Sequence, residues 1–198
     1  MIDIERYNKL KEKYGQVASW TIWNEPGLTP KSNTDDMSIF EDENICNKLN
    51  DKYVFVALNW AGTHGVQEDK PWKTFHSSYP YQNDFKLRYA LMDTPFWGSY
   101  ITDIIKDFPE LSSKKVVSHF RKNPNEIEKH INSFKEELSV LSDEKPILIA
   151  VGNDSYNILN DNLSEEYEIH RIMHYSARIN KEDYKNKVCE KLKKIFEK

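Results

Sequence analysis

The 198-residue sequence has no apolar run near the roughly 20 residues that a transmembrane helix requires. Its first residues, Met1 to Arg6, are acidic and amphipathic, and they lack the apolar core of a signal peptide. The only two cysteines, Cys46 and Cys189, are too far apart to indicate a disulfide framework or a metal site. Together with a mean hydropathy of −0.77, these absences predict a soluble protein of the reducing cytoplasm, with no membrane partner.

Several common enzyme signatures are missing as well. Gly62 and Gly65 do not have the spacing of a dinucleotide-binding loop, and no Gly-Lys-Ser/Thr phosphate loop is present. No serine lies in a nucleophile-elbow context. His64 and His76 have no companion at metal-ligand spacing. The sequence therefore predicts neither a metal nor a cofactor.

The charge and the aromatic content limit the class of partner. The net charge of −4 argues against indiscriminate binding of polyanions, although it permits a local basic face. Aromatic residues make up 13% of the chain, which indicates either a dense core or a stacking surface. The basic run from Lys114 to Lys122 is typical of a solvated face, and binding of phosphates is the alternative.

Apolar segments bounded by turn-forming residues alternate with amphipathic segments along the chain. The predicted buried strands are 53–58, 100–105, 147–151 and 168–173. The predicted helices are 3–14, 84–92, one that begins at Asn123-Pro124, one that begins near Asp154 and one from Lys181. A short aromatic segment at 19–23 is rich in β-formers, and a weak helix is expected at 42–49.

This alternation predicts an α/β fold, a three-layer α/β/α sandwich with a central, mostly parallel four-stranded sheet. Residues 1–198 are expected to form a single domain, with 1–50 as a helical or irregular extension packed on it. The connection 60–98 is long and rich in aromatic residues, which is typical of a functional loop.

Polar side chains stand where the predicted strands end. Asn59 follows the first strand, Asp103 lies in the second, Gly152-Asn153 follows the third and His174 follows the fourth. Because ligands of open parallel sheets bind outside the carboxyl ends of the strands, these residues are predicted to converge at one binding site.

The same residues carry a resemblance to a known family. Ala57-Leu58-Asn59-Trp60-Ala61-Gly62 resembles the first motif of the uracil-DNA glycosylase superfamily, in which the mismatch-specific branch has Gly-x-Asn-Pro-Gly. His174-Tyr175-Ser176-Ala177-Arg178 resembles the second motif, His-Pro-Ser followed by a loop that enters DNA. Asp103 falls where relatives place an asparagine that reads the base. The resemblance covers about residues 53–180.

The resemblance implies hydrolysis of the N-glycosidic bond of a damaged or mismatched base that is turned out of DNA, without a metal. Asn59 would orient the attacking water, and His174 would donate a hydrogen bond to the departing base. Trp72 or Phe75 would stack on the base. The implied substrate-binding residues are Trp60, Trp72, Phe75, Asp103 and Asn153, and the implied DNA-binding residues are Ser176, Ala177 and Arg178.

Three positions depart from the family pattern. Trp60 and Tyr175 each replace a proline, so both motif loops lose stiffening. Asp103 replaces the asparagine, and an ionised aspartate can only accept hydrogen bonds. Because its charge would repel the O4 atom of uracil, the resemblance does not imply a preference for uracil, and the sequence leaves open which base is recognised.

Other interpretations of the same residues remain open. The fold can serve as a catalytically inactive module that binds nucleic acid or protein. It can also hydrolyse a free nucleoside or nucleotide, with Asp103 reading base amino groups. At the level of single residues, Asn59 can close a turn, His174 can be a satisfied buried histidine, Arg178 can be a surface charge, and Trp72 and Phe75 can be packing residues.

Overall fold

The centre of the structure is a five-stranded sheet, which a computed structural model describes over residues 2–59, 70–79 and 81–196. The strands are β1 (Ala18–Trp20), β2 (Asn50–Asn59), β3 (Ser99–Ile105), β4 (Ile147–Val151) and β5 (Ile169–Ile172), in the order β1-β3-β2-β4-β5. Strands β3, β2, β4 and β5 are parallel, whereas β1 is antiparallel to β3.

Helices cover both faces of this sheet. They are α1 (Ile4–Tyr14), α2 (Asp84–Leu91), α3 (Ser113–Lys122), α4 (Pro124–Leu141), α5 (Asn153–Leu163) and α6 (Lys181–Phe196). Apolar residues of α1, α3, α4 and α5 form one core with Val54, Val56 and Ala150 of the sheet. Those of α2 and α6 form a second core with Phe55, Ala57 and Ile149. The predicted α/β/α sandwich is therefore confirmed.

Three elements differ from the prediction. The aromatic segment near residue 19 adds a fifth strand, because Ala18 pairs with Thr102 and Trp20 with Tyr100. The charged run 114–122 belongs to α3, since the spacing of Val116 and Phe120 buries both side chains on one face of a helix. Helix α4 begins at Pro124, as its sequence predicts. The segment 42–49, for which a weak helix was expected, forms a 3₁₀ helix at Ile45–Lys48.

The connections create a crevice at the carboxyl end of the sheet. The crossover from β2 to β3 carries α2 on one face, and the crossover from β4 to β5 carries α5 on the other. Strands β2 and β4 are neighbours, and the chain leaves them toward opposite faces of the sheet. Ligands of open α/β sheets bind at such a switch point. Among the described helices, none has the length and apolar character needed to cross a membrane.

Candidate functional site

A cavity of about 1000 Å³ opens at the carboxyl ends of the parallel strands. Its lining includes every polar residue that the strand ends were predicted to bring together: Asn59, Asp103, Gly152, Asn153 and His174. Phe75 and Ser176 also line it. The structure thus places most of the residues predicted for the site around one cavity.

Asn59 is the last residue of β2, and its amide group fixes the loop after β3. Its Nδ2 donates to the backbone carbonyls of Glu110 at 2.9 Å and Phe108 at 3.2 Å. The orientation of the amide is therefore set by the protein. Of its two polar atoms, Oδ1 is the one that can accept a hydrogen bond from a water molecule.

His174 follows β5 and is held as a neutral imidazole. The backbone N–H of Ser176 donates to its Nδ1 at 3.1 Å, so the ring proton lies on Nε2. Burial lowers the pKa of His174, which also favours the neutral form. Residue 152, which packs beside His174, has a φ of +101°, a backbone conformation that favours glycine. His174 is consequently an oriented, uncharged N–H donor.

Asp103 brings a buried carboxyl to the floor of the cavity. Its exposed fraction is 2%, and burial raises its pKa to about 7. The charge of Lys106 opposes this rise, and that of Glu137 adds to it. Near neutral pH the carboxyl therefore exists in both protonation states.

The two aromatic candidates lie in different parts of the molecule. Phe75 lines the cavity and belongs to the core beneath α2 and α6. Its φ of +69° is unusual for a bulky residue, and such backbone strain often occurs at functional sites. Trp72 is fully buried in the other core, where its Nε1 donates to Tyr7 at 2.9 Å. The prediction that Trp72 stacks on a base is wrong because its ring packs against Tyr7 and Trp20.

The remaining predicted residues differ in how they relate to the cavity. Asn153 lines it, but its Oδ1 accepts a hydrogen bond from Arg171 at 3.0 Å. Ala177 is half-buried and Arg178 is exposed, and neither belongs to the lining. Trp60, together with Ala61 and Gly62 of the first motif, lies outside the described residues.

Sequence reasoning missed several residues that shape this site. The list comprises Asp84, Ser155 and Tyr175, which line the cavity, and Lys86, which supports it. Asp84 accepts from the backbone N–H of Ser77 at 2.9 Å, and burial raises its pKa to about 6. Burial and the charges of Asp84 and Asp103 hold the pKa of Tyr175 well above its usual range. The sequence signal for Asp84 was its position at the start of a predicted helix.

Two further contacts lock the ends of the strands in place. Lys86 of α2 donates to the carbonyl of Ala177 at 2.9 Å, which fixes the loop after His174. Ser155 of α5 donates to the carbonyl of Val56 at 2.6 Å, which joins the start of α5 to β2. His76 also lines the cavity, and burial lowers its pKa to about 3, so it is neutral. The contacts of Lys86 and Ser155 fix two segments of the cavity wall, and His76 adds an uncharged imidazole to the lining.

The ring of Phe75, the N–H donor of His174 and the buried carboxyl of Asp103 line the same cavity. Among residues 2–59, 70–79 and 81–196, no three His, Cys, Asp or Glu side chains cluster as metal ligands. Comparisons with family models, with curated proteins and with solved structures found no match for this chain.

Proposed function

We propose that this chain is a glycosylase of the uracil-DNA glycosylase type, which hydrolyses the N-glycosidic bond of a base turned out of DNA. The observation that carries the proposal is the convergence of Asn59, Phe75, Asp103 and His174 on one cavity at the switch point of the sheet. These four residues come from separate parts of the chain, and each has the side-chain chemistry that the proposed reaction needs. The expected setting is the cytoplasm.

The proposed reaction uses water as its only co-substrate. The bond between C1′ of the sugar and the base nitrogen breaks, and its electron pair leaves with the base. The oxygen of the water bonds to C1′, and a water proton ends on the departing base. Asn59 positions this water through Oδ1, with its amide held by the carbonyls of Phe108 and Glu110.

His174 stabilises the negative charge that develops on the base as it leaves. A neutral Nε2–H donor suits this role, because its hydrogen bond strengthens only as charge forms in the transition state. Such a donor contributes about 3–4 kcal/mol to a reaction of this kind. Phe75 provides the aromatic surface on which the base stacks, and Asp103 faces the edge of the base.

The test is release of bases from single-stranded and duplex oligonucleotides that contain uracil, hypoxanthine, xanthine, 8-oxoguanine or mismatched thymine. The parent should release at least one base, and Asn59→Ala should abolish release while oligonucleotide binding persists. Asn50→Ala is the matched control, because Asn50 lies at the opposite end of β2 and its Nδ2 also donates to a backbone carbonyl, that of Trp97. An Asn59→Ala variant as active as the parent would contradict the mechanism.

A second pair of variants tests the histidine. His174→Ala should slow base release roughly 100- to 1000-fold, and His170→Ala should not change it. His170 is the second residue of β5, away from the strand end that leads to His174, and it pairs with Glu168 at the surface, 2.6 Å away. Equal effects of the two substitutions would remove His174 from the proposed reaction.

A catalytically inactive binding module of the same fold is the second candidate. The observation that favours it is the structural duty of Asn59, whose amide fixes the 108–110 loop whether or not a reaction occurs. This candidate predicts binding that weakens steeply with salt and no release of any base. Activity that does not depend on duplex length would instead indicate a free nucleoside or nucleotide as the substrate.

A further inference from the structure

The floor of the cavity is a row of side chains from three adjacent strands. Asp103 of β3 pairs with Ala57 of β2, and the pairing of Val56 with Ala150 puts Val151 of β4 beside Ala57. All three of these side chains line the cavity. Because neighbouring residues of a parallel sheet point to the same face, a ligand on this floor meets two apolar groups and one carboxyl. The methyl group of Ala57 leaves room beside the carboxyl.

The carboxyl of Asp103 lacks the donors that a buried carboxylate requires. Among the described residues, none donates a hydrogen bond to it, although only 2% of the residue is exposed. The nearby ammonium group of Lys106 donates to the backbone carbonyl of Asp103 and pairs with Glu137 at 2.6 Å. A buried carboxylate without donors is costly, so a ligand that supplies N–H groups would satisfy it.

We propose that Asp103 is the specificity-determining residue of this cavity and selects a base that presents two adjacent N–H donors, as 2-amino-6-oxopurines do. Guanine and 8-oxoguanine belong to this class, since their N1–H and N2 amino groups can donate to the two carboxylate oxygens in parallel. The inference rests on the proposed function, because it takes the ligand to be a base.

Other base edges fit an ionised Asp103 less well. Uracil, thymine and hypoxanthine present one N–H donor next to a carbonyl oxygen, and that oxygen would face a carboxylate oxygen. Adenine and cytosine present an amino donor next to a ring nitrogen that only accepts. A protonated carboxyl could match these mixed edges, so the selection is strongest above pH 7, where the carboxyl has lost its proton.

The charges around Asp103 leave this assignment intact. The charges of Lys106, which follows β3, and of Glu137 of α4 act on Asp103, and those of Asp103 and Asp84 of α2 act on Tyr175 after β5. Other charged or titratable side chains of the lining include Lys70, Lys73, His76, Glu110, Asp154 and His174. Glu137 lies on the opposite face of the sheet, where Tyr100 and Thr102 donate to it. Asp84 already accepts from Ser77. Asp103 is therefore a deeply buried carboxyl of the lining to which none of the described residues donates a hydrogen bond, so both of its oxygens can accept from a ligand.

The test compares 2′-deoxyguanosine with 2′-deoxyinosine, two nucleosides that differ only in the 2-amino group. Titration calorimetry at pH 8 should show roughly ten- to hundred-fold tighter binding of deoxyguanosine to the parent. In Asp103→Asn, which offers one donor and one acceptor, this ratio should fall to about one or reverse. Asp154→Asn removes a different lining carboxylate and should leave the ratio unchanged.

Each other result overturns the inference. Equal binding of both nucleosides by the parent, no binding of either at millimolar concentration, or an unchanged ratio in Asp103→Asn would do so. Asp103→Ala, checked for its fold by circular dichroism, provides a second variant in which the preference should disappear. A preference for deoxyguanosine without base release from any oligonucleotide would contradict the proposed catalysis alone. Release of uracil, thymine or hypoxanthine from oligonucleotides, without tighter binding of deoxyguanosine than of deoxyinosine, would contradict this inference alone.

Discussion

Asp103 combines a structural liability with a position suited to recognition. Its carboxyl is buried beside Ala57, and burial raises its pKa to about 7. In an unfolded chain the same group ionises near its ordinary value of 3.8. A group whose folded pKa is raised in this way destabilises the fold once it ionises, and natural proteins accept such a liability mostly at functional sites.

The pH dependence of stability should reveal this liability. As pH rises from about 4 to about 7, the unfolded chain loses the proton of Asp103 before the folded chain does, so the free energy of unfolding falls. The loss is on the order of 3–4 kcal/mol at about 1.4 kcal/mol for each pH unit. Asp84, whose pKa burial raises to about 6, acts in the same direction. Urea unfolding at pH 4 and pH 8 measures the effect.

Asp103→Asn should remove most of that dependence. Between pH 4 and pH 8, the free energy of unfolding of this variant should fall by less than that of the parent. Asp161→Asn, at an exposed position of α5, is the matched control and should follow the parent curve. Parallel pH curves for the parent and Asp103→Asn would show that the carboxyl titrates normally.

At the scale of elements, the segment 70–79 connects the two cores. The backbone N–H of Trp72 donates to Gly15 at 2.6 Å, Ser19 donates to the carbonyl of Trp72 at 2.7 Å, and Thr74 donates to the carbonyl of Gln16 at 3.0 Å. Trp72 and Phe75 both have positive φ, and their side chains enter different layers. One short segment therefore supports the core and lines the cavity.

Substitutions should separate these two roles. Trp72→Phe loses the hydrogen bond to Tyr7 and part of the ring volume, so it should lower the free energy of unfolding by about 1–3 kcal/mol without altering base release. Phe75→Leu keeps an apolar side chain but removes the ring, so it should mainly weaken base release. Thermal unfolding and the oligonucleotide assay measure both. The reverse pattern would return Trp72 to the site.

Lys106, directly after strand β3, forms an ion pair with Glu137 of helix α4 on the face opposite the cavity. Glu137 is fully buried, and Tyr100 and Thr102 each donate to its Oε1 at 2.9 Å. Lys106 pairs with its Oε2 at 2.6 Å and lies 5.6 Å from the centre of the Phe134 ring. The network ties α4 to the strand that carries Asp103.

Lys106→Met should destabilise the protein by about 3–5 kcal/mol, because it leaves the charge of Glu137 buried without a partner. The double variant Lys106→Met with Glu137→Gln should recover much of that loss, since it removes the unpaired charge. Lys115→Met tests an exposed lysine that lies 3.4 Å from Glu110 and should change stability by less than about 1 kcal/mol. Chemical denaturation of the four proteins gives the comparison.

For the whole molecule, the sequence predicted the sheet and the convergence of the strand ends because both follow from local patterns. Apolar runs predict buried strands, and the rule on carboxyl ends places Asn59, Asp103 and His174 at one rim. The fifth strand was missed because three residues carry too little pattern. Helix α3 was missed because most of its residues are polar or charged, and Val116 and Phe120 alone are too few to indicate an apolar helix face.

Other features depend on contacts between distant segments. Trp72 and Phe75 are alike as sequence, and only the backbone conformation of the segment 70–79 decides which ring reaches the cavity. Asp84 and Lys86 come to the site through the packing of α2, which no local motif encodes. The hydrogen-bond partners that fix Asn59 and His174 are backbone groups, carbonyl acceptors for Asn59 and an N–H donor for His174, so the identity of the partner residues carries no signal.

Net charge bears on how the molecule would engage DNA. The chain carries −4 overall, yet Lys70 and Lys73 both line the cavity. If the substrate is DNA, these lysines should contact phosphates beside the flipped base, and the DNA should release counterions from those phosphates when it binds the protein. Binding should then weaken linearly in a plot of log affinity against log salt concentration.

The variant Lys70→Gln with Lys73→Gln should reduce the magnitude of that slope by about 1.5, because each lost phosphate contact removes about 0.7–0.9. Lys191→Gln with Lys194→Gln changes the net charge equally at exposed positions near the end of α6, remote from the cavity lining, and should keep the parent slope. Fluorescence anisotropy of a labelled oligonucleotide between 50 and 200 mM salt, about the range over which such slopes are resolved, measures both. Identical slopes for the two variants would mean that the phosphates bind elsewhere on the protein, whereas no salt dependence in the parent would favour an uncharged nucleoside as the ligand.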